Sequence, residues 1–329
     1  MPYKIMLTAQ FRNDEFASEE RQQGLEHLST LGELMDEPES LGAEHAPGVI
    51  ASIASSSYYS DEFYEAASDL RVVARWGVGF DRVNIPAATR YGVIVTVTPV
   101  HMDAVAEYTI AQWMATLKRV YTLNHLSHRG DFSIIRTHEA QHTTLGLYGC
   151  GRIGQEVAMR ARPLLGEKGR LLMYDVRPDI DEVAAKYDAE VVNTPEALFQ
   201  ACDTVSLHVS GDETIIHYDL LSRMKRHASL INPSRGNLVN DDDVNRAIKE
   251  EKLYYYVVDD PVNDSREVHK GHPRIICTNH NAGITVESTM RLDTKGIEQV
   301  TDAIQGRRPE HILNPEVLHH PRVKAWLKA

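Results

Sequence analysis

The chain has 329 residues, with 35 Lys and Arg against 47 Asp and Glu, so its formal net charge is −12. This acidic balance argues against nucleic acid or an anionic membrane as the main partner, and no apolar run approaches the roughly 20 residues that span a bilayer. The length suggests two domains, and three dispersed cysteines without a CxxC pair favour a reducing, cytoplasmic location.

Short apolar strands alternate with amphipathic helices in chain order. The predicted strands are Lys4–Thr8, Val49–Ile53, Val72–Ala74, Val93–Val97, Thr144–Tyr148, Leu171–Tyr174, Thr204–His208, Ser229–Ile231, Tyr255–Val258 and Ile275–Cys277. The predicted helices include Ser18–Leu31, Asp103–Leu123, Ile153–Leu165, Ile180–Tyr187 and Asp241–Lys249. Because the strands are continuous apolar runs separated by helices, this rhythm predicts α/β domains with parallel sheets covered on both faces.

A glycine motif follows the strand Thr144–Tyr148 directly. Gly149, Gly151 and Gly154 form G-x-G-x-x-G at the start of a predicted helix, which permits a tight turn, close approach of a pyrophosphate and close helix packing. The free N–H groups of the helix start would then face the phosphates.

An acidic residue, Asp175, ends the next strand 21 residues after Gly154. A carboxylate there accepts hydrogen bonds from the adenosine ribose and repels a 2′-phosphate, so NAD is favoured over NADP, although Arg177 lies nearby. Since the motif begins near residue 145, the first 100 or so residues belong to another domain.

Several motifs together resemble the D-isomer-specific 2-hydroxyacid dehydrogenases, from about Ala54 to Leu318. The pieces are Leu70–Asp81, Ala104–Glu107, Gly149–Gly154, Asn232–Gly236, Thr278–Gly283 and Asn314–Leu318. Their order and spacing are specific, whereas no single piece is decisive.

The resemblance implies a Rossmann-type doubly wound parallel sheet domain, residues 100–289, inserted into a second, flavodoxin-like α/β domain made of residues 1–99 and 290–329. The first would bind NAD and the second the substrate, in a cleft between them. It also implies a homodimer through the Asp103–Leu123 region, although a plain core helix fits that segment equally well.

The resemblance assigns Arg235 to the substrate carboxylate and carbonyl and His280 to acid/base catalysis. A guanidinium after a buried strand is a natural bidentate carboxylate clamp. The ordinary pKa of histidine, near 6.5, allows proton exchange at neutral pH.

Two carboxylates compete for the role of orienting the histidine. The family usually has Glu 29 residues after the arginine, where this chain has Asp264 in an altered loop, and Glu267 lies close by. We expect Asp264 to serve; the alternative is that both are loop carboxylates in water.

Substrate contacts are expected from Ser55, Val78 and Gly79 besides Arg235, because small residues after a strand leave backbone N–H groups accessible. Many family members have arginine where Ala54 stands, and its loss argues against a phosphorylated substrate. The implied cofactor contacts, beyond the three glycines and Asp175, are Arg152, Ile153, Val209, Pro233, Ser234, Asp259 and Gly283.

The predicted activity is NAD-dependent interconversion of a small 2-keto acid and a D-2-hydroxy acid. The alternatives are an NAD(H)-sensing binding protein, like the C-terminal-binding-protein corepressors, or a formate- or phosphite-type dehydrogenase. The pairs His138/His142 and His319/His320 have metal-like spacing but no third ligand, so no metal is expected.

Overall fold

The computed structural model describes residues 3–12, 18–55, 57–80, 82–211, 213–262 and 264–328, without the side chains of Gln10, Asp264 and Ser265. These residues divide into two compact units, one of Met1–His101 with Thr285–Ala329 and the other of Met102–Ile284. The sequence analysis predicted the first boundary two residues earlier, after residue 99, and the second boundary five residues later, after residue 289.

The described residues form parallel strands separated by helices. The strands are β1 Lys4–Leu7, β2 Glu33–Asp36, β3 Ser40–Leu41, β4 Val49–Ala54, β5 Tyr58–Tyr59, β6 Val72–Arg75, β7 Ile94–Thr96, β8 Thr144–Tyr148, β9 Arg170–Tyr174, β10 Glu190–Val191, β11 Thr204–Leu207, β12 Ser229–Asn232, β13 Tyr255–Val258 and β14 Ile275–Cys277. The α-helices are α1 Ala9–Arg12, α2 Glu19–Leu31, α3 Asp61–Ala66, α4 Ile85–Arg90, α5 Met102–Leu117, α6 Val120–His128, α7 Arg152–Leu165, α8 Ile180–Ala185, α9 Pro195–Ala201, α10 Tyr218–Leu221, α11 Asp241–Lys249, α12 Val286–Ile304 and α13 Pro321–Trp326. Short 3₁₀ helices cover Ala43–His45, Ala140–His142, Gly236–Leu238, Asp264–His269 and Pro315–His319.

The first unit contains a five-stranded parallel sheet in the order β2-β1-β4-β6-β7. This is the strand order of flavodoxin-like folds. Alternate residues of β6 pack on opposite faces of the sheet, with Val73 in one buried apolar cluster and Val72 and Ala74 in the other. Both faces are therefore covered, as the continuous apolar strands predicted.

The second unit contains a seven-stranded parallel sheet in the order β10-β9-β8-β11-β12-β13-β14. The order reverses between β8 and β11, which is the Rossmann arrangement, and ligands of such sheets bind beyond the carboxyl ends of the strands at this reversal. The α/β fold class predicted from the sequence is confirmed.

One predicted helix is interrupted. The segment predicted as a single helix from Asp103 to Leu123 is α5 followed by α6, and Arg119 between them has a left-handed backbone with φ of 52°. The guanidinium of Arg119 stacks 3.4 Å from the ring centre of Tyr254, a contact with a residue 135 positions away. A left-handed non-glycine residue ends an α-helix, so the prediction of one continuous helix was wrong.

None of the helices in the described ranges is both long and apolar enough to cross a membrane.

Candidate active site

The glycine turn joins β8 to α7 and each glycine has a separate structural reason. Gly149 has a φ of 94°, and a Cβ there would lie 2.5 Å from the carbonyl oxygen of His208. A Cβ at Gly154 would lie 2.3 Å from the carbonyl oxygen of Gly149. A Cβ at Gly151 would meet no described atom within 4 Å. The space over the start of α7 is thus open at Gly151, which fits a dinucleotide pyrophosphate on the helix N-terminus.

The acidic residue at the end of β9 faces this turn. Asp175 accepts hydrogen bonds from the backbone N–H groups of Cys150, at 2.5 Å, and Arg177, at 3.0 Å. The guanidinium of Arg177 is bidentate on Asp179, with N–O distances of 2.6 and 2.8 Å, and donates to the carbonyl of Cys150. Arg177 is therefore already paired, which lessens its suitability for a 2′-phosphate and favours NAD.

The loops that carry the candidate catalytic residues begin at the same edge of the second sheet. The last residues of three neighbouring strands are paired in register, Asn232 with Val258 and Val258 with Cys277. Arg235, Asp259 and the His280 turn come within three residues of these strand ends, so their backbones lie along one edge of the sheet.

The turn that carries Arg235 is held by buried hydrogen bonds. The side-chain amide of Asn232, which is buried, donates to the carbonyl of Arg235 at 2.7 Å and its oxygen accepts from the N–H of Ser234. The Ser234 hydroxyl donates to the carbonyl of Leu207 at the end of β11. Arg235 is half-buried, and its guanidinium donates to the carbonyl of Ser234 at 2.8 Å.

The turn that carries His280 is held by Asp259. This buried carboxylate accepts from the Thr278 hydroxyl at 2.6 Å, from the N–H of Asn281 at 2.8 Å and from the N–H of Ala282 at 2.7 Å. His280 itself is exposed and has a left-handed backbone, with φ of 56°. Charge-assisted hydrogen bonds on both sides of this residue offset the cost of its conformation.

A second support of the same turn comes from α5. The hydroxyl groups of Tyr108 and Thr278 lie 2.7 Å apart. Burial is the main cause that raises the pKa of Tyr108, so this phenol stays neutral and can donate or accept. The sequence did not single out Thr278 or Tyr108 as individual residues, because their contacts join segments 170 positions apart.

The two candidate carboxylates for His280 lie on the 3₁₀ segment Asp264–His269. The side chain of Asp264 is outside the described part of the structure. Glu267 is exposed and forms an ion pair with Lys270 at an O–N distance of 3.1 Å. Glu267 thus has a surface partner, and the assignment of Asp264 stays a prediction.

A network missed by the sequence analysis crosses the same loop. Arg266, with 7% of its side chain exposed, bridges the carboxylates of Asp241 and Asp260, and His269 bonds to Asp241 at 2.9 Å. Asp260 also accepts from the N–H of Gly236 at 3.1 Å. The partners of this network come from distant segments of the chain, so no local sequence pattern predicts it.

The predicted substrate residues lie in the first unit, after β4 and β6. Arg75 donates to the carbonyls of Ser55 and Gly79, the latter at 2.7 Å, and so joins the two segments. No described residue accepts a hydrogen bond from the backbone N–H of Val78 or Gly79. Such donors suit a carboxylate, and the assignment of these residues to the substrate stays a prediction.

The other predicted cofactor residues lie at the carboxyl edge of the second sheet. Arg152 and Ile153 begin α7, Val209 follows β11 by two residues, and Pro233 follows β12 directly. The Cγ1 of Val209 would lie 2.7 Å from a Cβ at Gly149, so Val209 borders the glycine turn. Gly283 lies beyond the His280 turn, just before the second unit ends.

Three of the four histidines with metal-like spacing have other partners in the structure. His142 pairs with Glu139 at 3.8 Å, His138 stacks on His227, and His320 caps α13 by accepting from the N–H of Arg322. Within the described residues, no group of three or more His, Cys, Asp or Glu side chains is arranged to hold a metal ion.

Comparison with known proteins identifies the family. The family model for the NAD-binding domain of D-isomer-specific 2-hydroxyacid dehydrogenases matches residues 110–282, more than half of the chain. The chain belongs to the D-isomer-specific 2-hydroxyacid dehydrogenase family. It is therefore an NAD-dependent oxidoreductase acting on 2-hydroxy acids, and the cofactor expected from Gly149–Gly154 and Asp175 is confirmed as NAD.

Two curated relatives show how far the similarity extends. Glyoxylate reductase of Thermofilum pendens is 31% identical over 274 residues, which cover 78% of each chain. D-3-phosphoglycerate dehydrogenase of Synechocystis is 29% identical and covers 83% of this chain but 50% of its own length.

Two solved structures share the fold. The TT0316 protein of Thermus thermophilus has a TM-score of 0.76 at 24% identity, covering 94% of this chain and 99% of that one. The D-lactate dehydrogenase of Lactobacillus jensenii, solved with NAD+, has a TM-score of 0.74 at 22% identity with the same coverage.

Proposed function

We propose that this dehydrogenase reduces a small, unphosphorylated 2-keto acid to the D-2-hydroxy acid, with Arg235 binding the carboxylate and His280 supplying the proton. The observation that carries the proposal is the common edge of the second sheet. There the glycine turn follows β8, the Arg235 turn follows β12 and the His280 turn follows β14, all strands of one parallel sheet. A cation for the substrate, a proton donor and the cofactor cradle are thus supplied by one rigid scaffold.

Each group has one task in the reaction. The Arg235 guanidinium holds the carboxylate and orients the adjacent carbonyl, since its planar donors match a carboxylate. Bound NADH supplies the hydride that C2 of the keto acid receives. His280 gives its proton to the keto oxygen as the alcohol forms, and takes it back in the reverse direction. Asp264 is assigned to orient His280, as the resemblance implies.

The substrate class follows from the first unit. Ala54 lies in register opposite Arg75 on the neighbouring strand, so a cation is present at this level of the sheet. The Arg75 guanidinium is nevertheless engaged by the carbonyls of Ser55 and Gly79. Because two of its nitrogens already donate to backbone carbonyls, Arg75 is poorly placed to replace the family's usual arginine as a phosphate partner. We therefore assign Ser55, Val78 and Gly79 to a short, unphosphorylated substrate.

The decisive experiment measures NADH oxidation with glyoxylate, hydroxypyruvate, pyruvate and 3-phosphohydroxypyruvate. We expect turnover with one of the first three and little with the last. Tight NADH binding without turnover of any of them would overturn the proposal and favour an NAD(H)-sensing protein.

The role of His280 is tested by His280→Ala. Loss of general acid catalysis is expected to lower kcat by about 10²–10⁴-fold, with the NADH dissociation constant within a few-fold of wild type. His27→Ala, which removes an exposed histidine of α2, is the matched control. Unchanged turnover of His280→Ala would exclude this residue as the proton donor.

We also propose a cytoplasmic homodimer in which residues 102–128 and the following segment face a second copy. Phe132 and Ile134 on that segment are 82% and 96% exposed, which is costly for apolar side chains in water. Light scattering should give twice the chain mass of 37.0 kDa, and the paired change Phe132→Ser with Ile134→Ser should shift it toward monomer. A monomeric wild-type protein would exclude the dimer.

A further inference from the structure

The loop between β13 and β14, which is altered relative to the family pattern, is held by the buried side chain of Arg266. The Arg266 guanidinium donates to both carboxylate oxygens of Asp241, at 3.3 and 3.0 Å, and to Asp260 at 2.9 Å. Asp241 is the first residue of α11 and Asp260 follows β13 by two residues. Arg266 therefore links a helix start, a strand end and the altered loop in one contact.

The same contact reaches the turn of the substrate clamp. The oxygen of Asp260 that accepts from Arg266 also accepts from the N–H of Gly236, the residue after Arg235. A Cβ at Gly236 would lie 1.7 Å from the Arg266 guanidinium, so the two groups are packed without a gap. The position of the Arg235 backbone thus depends on Asp260, and the position of Asp260 depends on Arg266.

Charge gives this arrangement a second consequence. Asp260 places a negative charge 3.1 Å from the N–H of Gly236, the residue that follows Arg235 in the turn that would bind an anionic substrate. Its side chain is only 28% exposed, so water screens it incompletely. Arg266 is the cation that compensates it, while Asp241 has His269 as a further partner at 2.9 Å. Without Arg266, the uncompensated charge of Asp260 beside this turn would weaken the binding of an anionic substrate.

We propose that Arg266 is a positioning residue that fixes the Arg235 turn through Asp260 and neutralises the charge of Asp260, so that no uncompensated anion lies beside the turn that binds the substrate carboxylate. The inference deepens the proposed function and rests on it for the substrate.

The test compares charge-removing and charge-balanced variants. For Arg266→Met we expect the KM of the preferred keto acid, glyoxylate or hydroxypyruvate, to rise at least 10-fold, while the NADH dissociation constant stays within threefold. The double variant Arg266→Met with Asp260→Asn also removes the uncompensated charge of Asp260. Its KM should therefore return most of the way to the wild-type value. Arg266→Lys, which keeps the charge, should lie between wild type and Arg266→Met.

The control is Arg246→Met, which removes an exposed arginine from α11, where it pairs with Glu250. If Arg266→Met does not fold, Arg266→Lys and the double variant carry the comparison, because both avoid an unbalanced Asp260. A wild-type KM in Arg266→Met, or equal impairment of Arg266→Met and the double variant, would overturn the charge role.

Amide hydrogen exchange separates this proposal from the proposed function. Peptides covering residues 234–238 should exchange faster in Arg266→Met than in Arg246→Met, whether or not the wild-type protein turns over a keto acid. Unchanged exchange there would overturn the positioning role. Absent wild-type turnover together with faster exchange would overturn only the proposed substrate.

Discussion

At the scale of single residues, Asp259 has a role in the structure that differs from the one its position suggested. The family resemblance places it against the nicotinamide carboxamide, whereas both of its oxygens accept from the His280 turn. A carboxylate can accept further bonds, so the two roles are compatible. Within the described residues, the hydrogen bonds of Asp259 hold the His280 turn in place.

Asp259→Asn separates these roles. One carboxylate oxygen becomes an NH₂ group, which cannot accept a hydrogen bond. The side chain then cannot accept from both the Asn281 and the Ala282 N–H groups as it does in the wild-type protein. A buried donor left without its partner costs about 1–3 kcal/mol, and the left-handed backbone of His280 loses support. We expect kcat to fall at least 10-fold with an NADH dissociation constant within threefold.

The control is Asp188→Asn, at an exposed carboxylate of the same unit. Steady-state kinetics and NADH fluorescence titration give the two quantities. A loss confined to NADH affinity would contradict the role of Asp259 in positioning His280.

At the scale of elements, the glycine turn between β8 and α7 allows two substitutions of equal size to be compared. Gly151→Ala places its Cβ in open space at an ordinary φ of −71°, so we expect a normal fold. The added methyl would occupy the path of the pyrophosphate and should weaken NADH binding at least 10-fold. Gly154→Ala places its Cβ 2.3 Å from a backbone oxygen and should unfold or strongly destabilise the second unit.

Thermal unfolding and NADH titration of both variants test this comparison. We expect the melting temperature of Gly151→Ala to stay within about 2 °C of wild type. Wild-type NADH affinity in Gly151→Ala would show that the dinucleotide does not pass over this glycine.

The elements that could be predicted are those with a local signal. The central strands β4, β8, β12 and β13 are fully or almost fully buried and read as apolar runs, and the glycine turn is a motif of six residues. The sheet-edge strands β2 and β10 were missed because Glu33, Asp36 and Glu190 interrupt the apolar pattern, as is common at an edge.

The features that could not be predicted depend on contacts between distant positions. The break between α5 and α6 is stabilised by the stacking of Arg119 on Tyr254, and nothing in the local sequence reports it. The link from Arg266 to Gly236 likewise joins residues 30 positions apart through Asp260. Sequence reasoning therefore located the Arg235 and His280 turns but not the groups that hold them in place.

At the scale of the whole molecule, the burial of His208 allows the pH dependence of the stability of the second unit to be predicted. Both ring nitrogens of His208 are buried and have no hydrogen-bond partner among the described residues. Burial lowers the pKa of this histidine from 6.5 to about 3. The folded chain thus keeps His208 neutral where the unfolded chain protonates it, so its contribution to stability is complete above pH 6.5 and is lost as the pH falls toward 3.

Linkage gives the magnitude of this effect. One extra proton on the unfolded chain lowers the free energy of unfolding by about 1.4 kcal/mol per pH unit, or about 2 kcal/mol between pH 6.5 and pH 5. Urea unfolding at pH 7 and pH 5 should show this loss in the wild-type protein and in His27→Ala, whose histidine is exposed. In His208→Gln, which has no titrating group there, the loss should shrink by about that amount. An equal pH dependence in wild type and His208→Gln would mean that His208 is protonated in the folded protein.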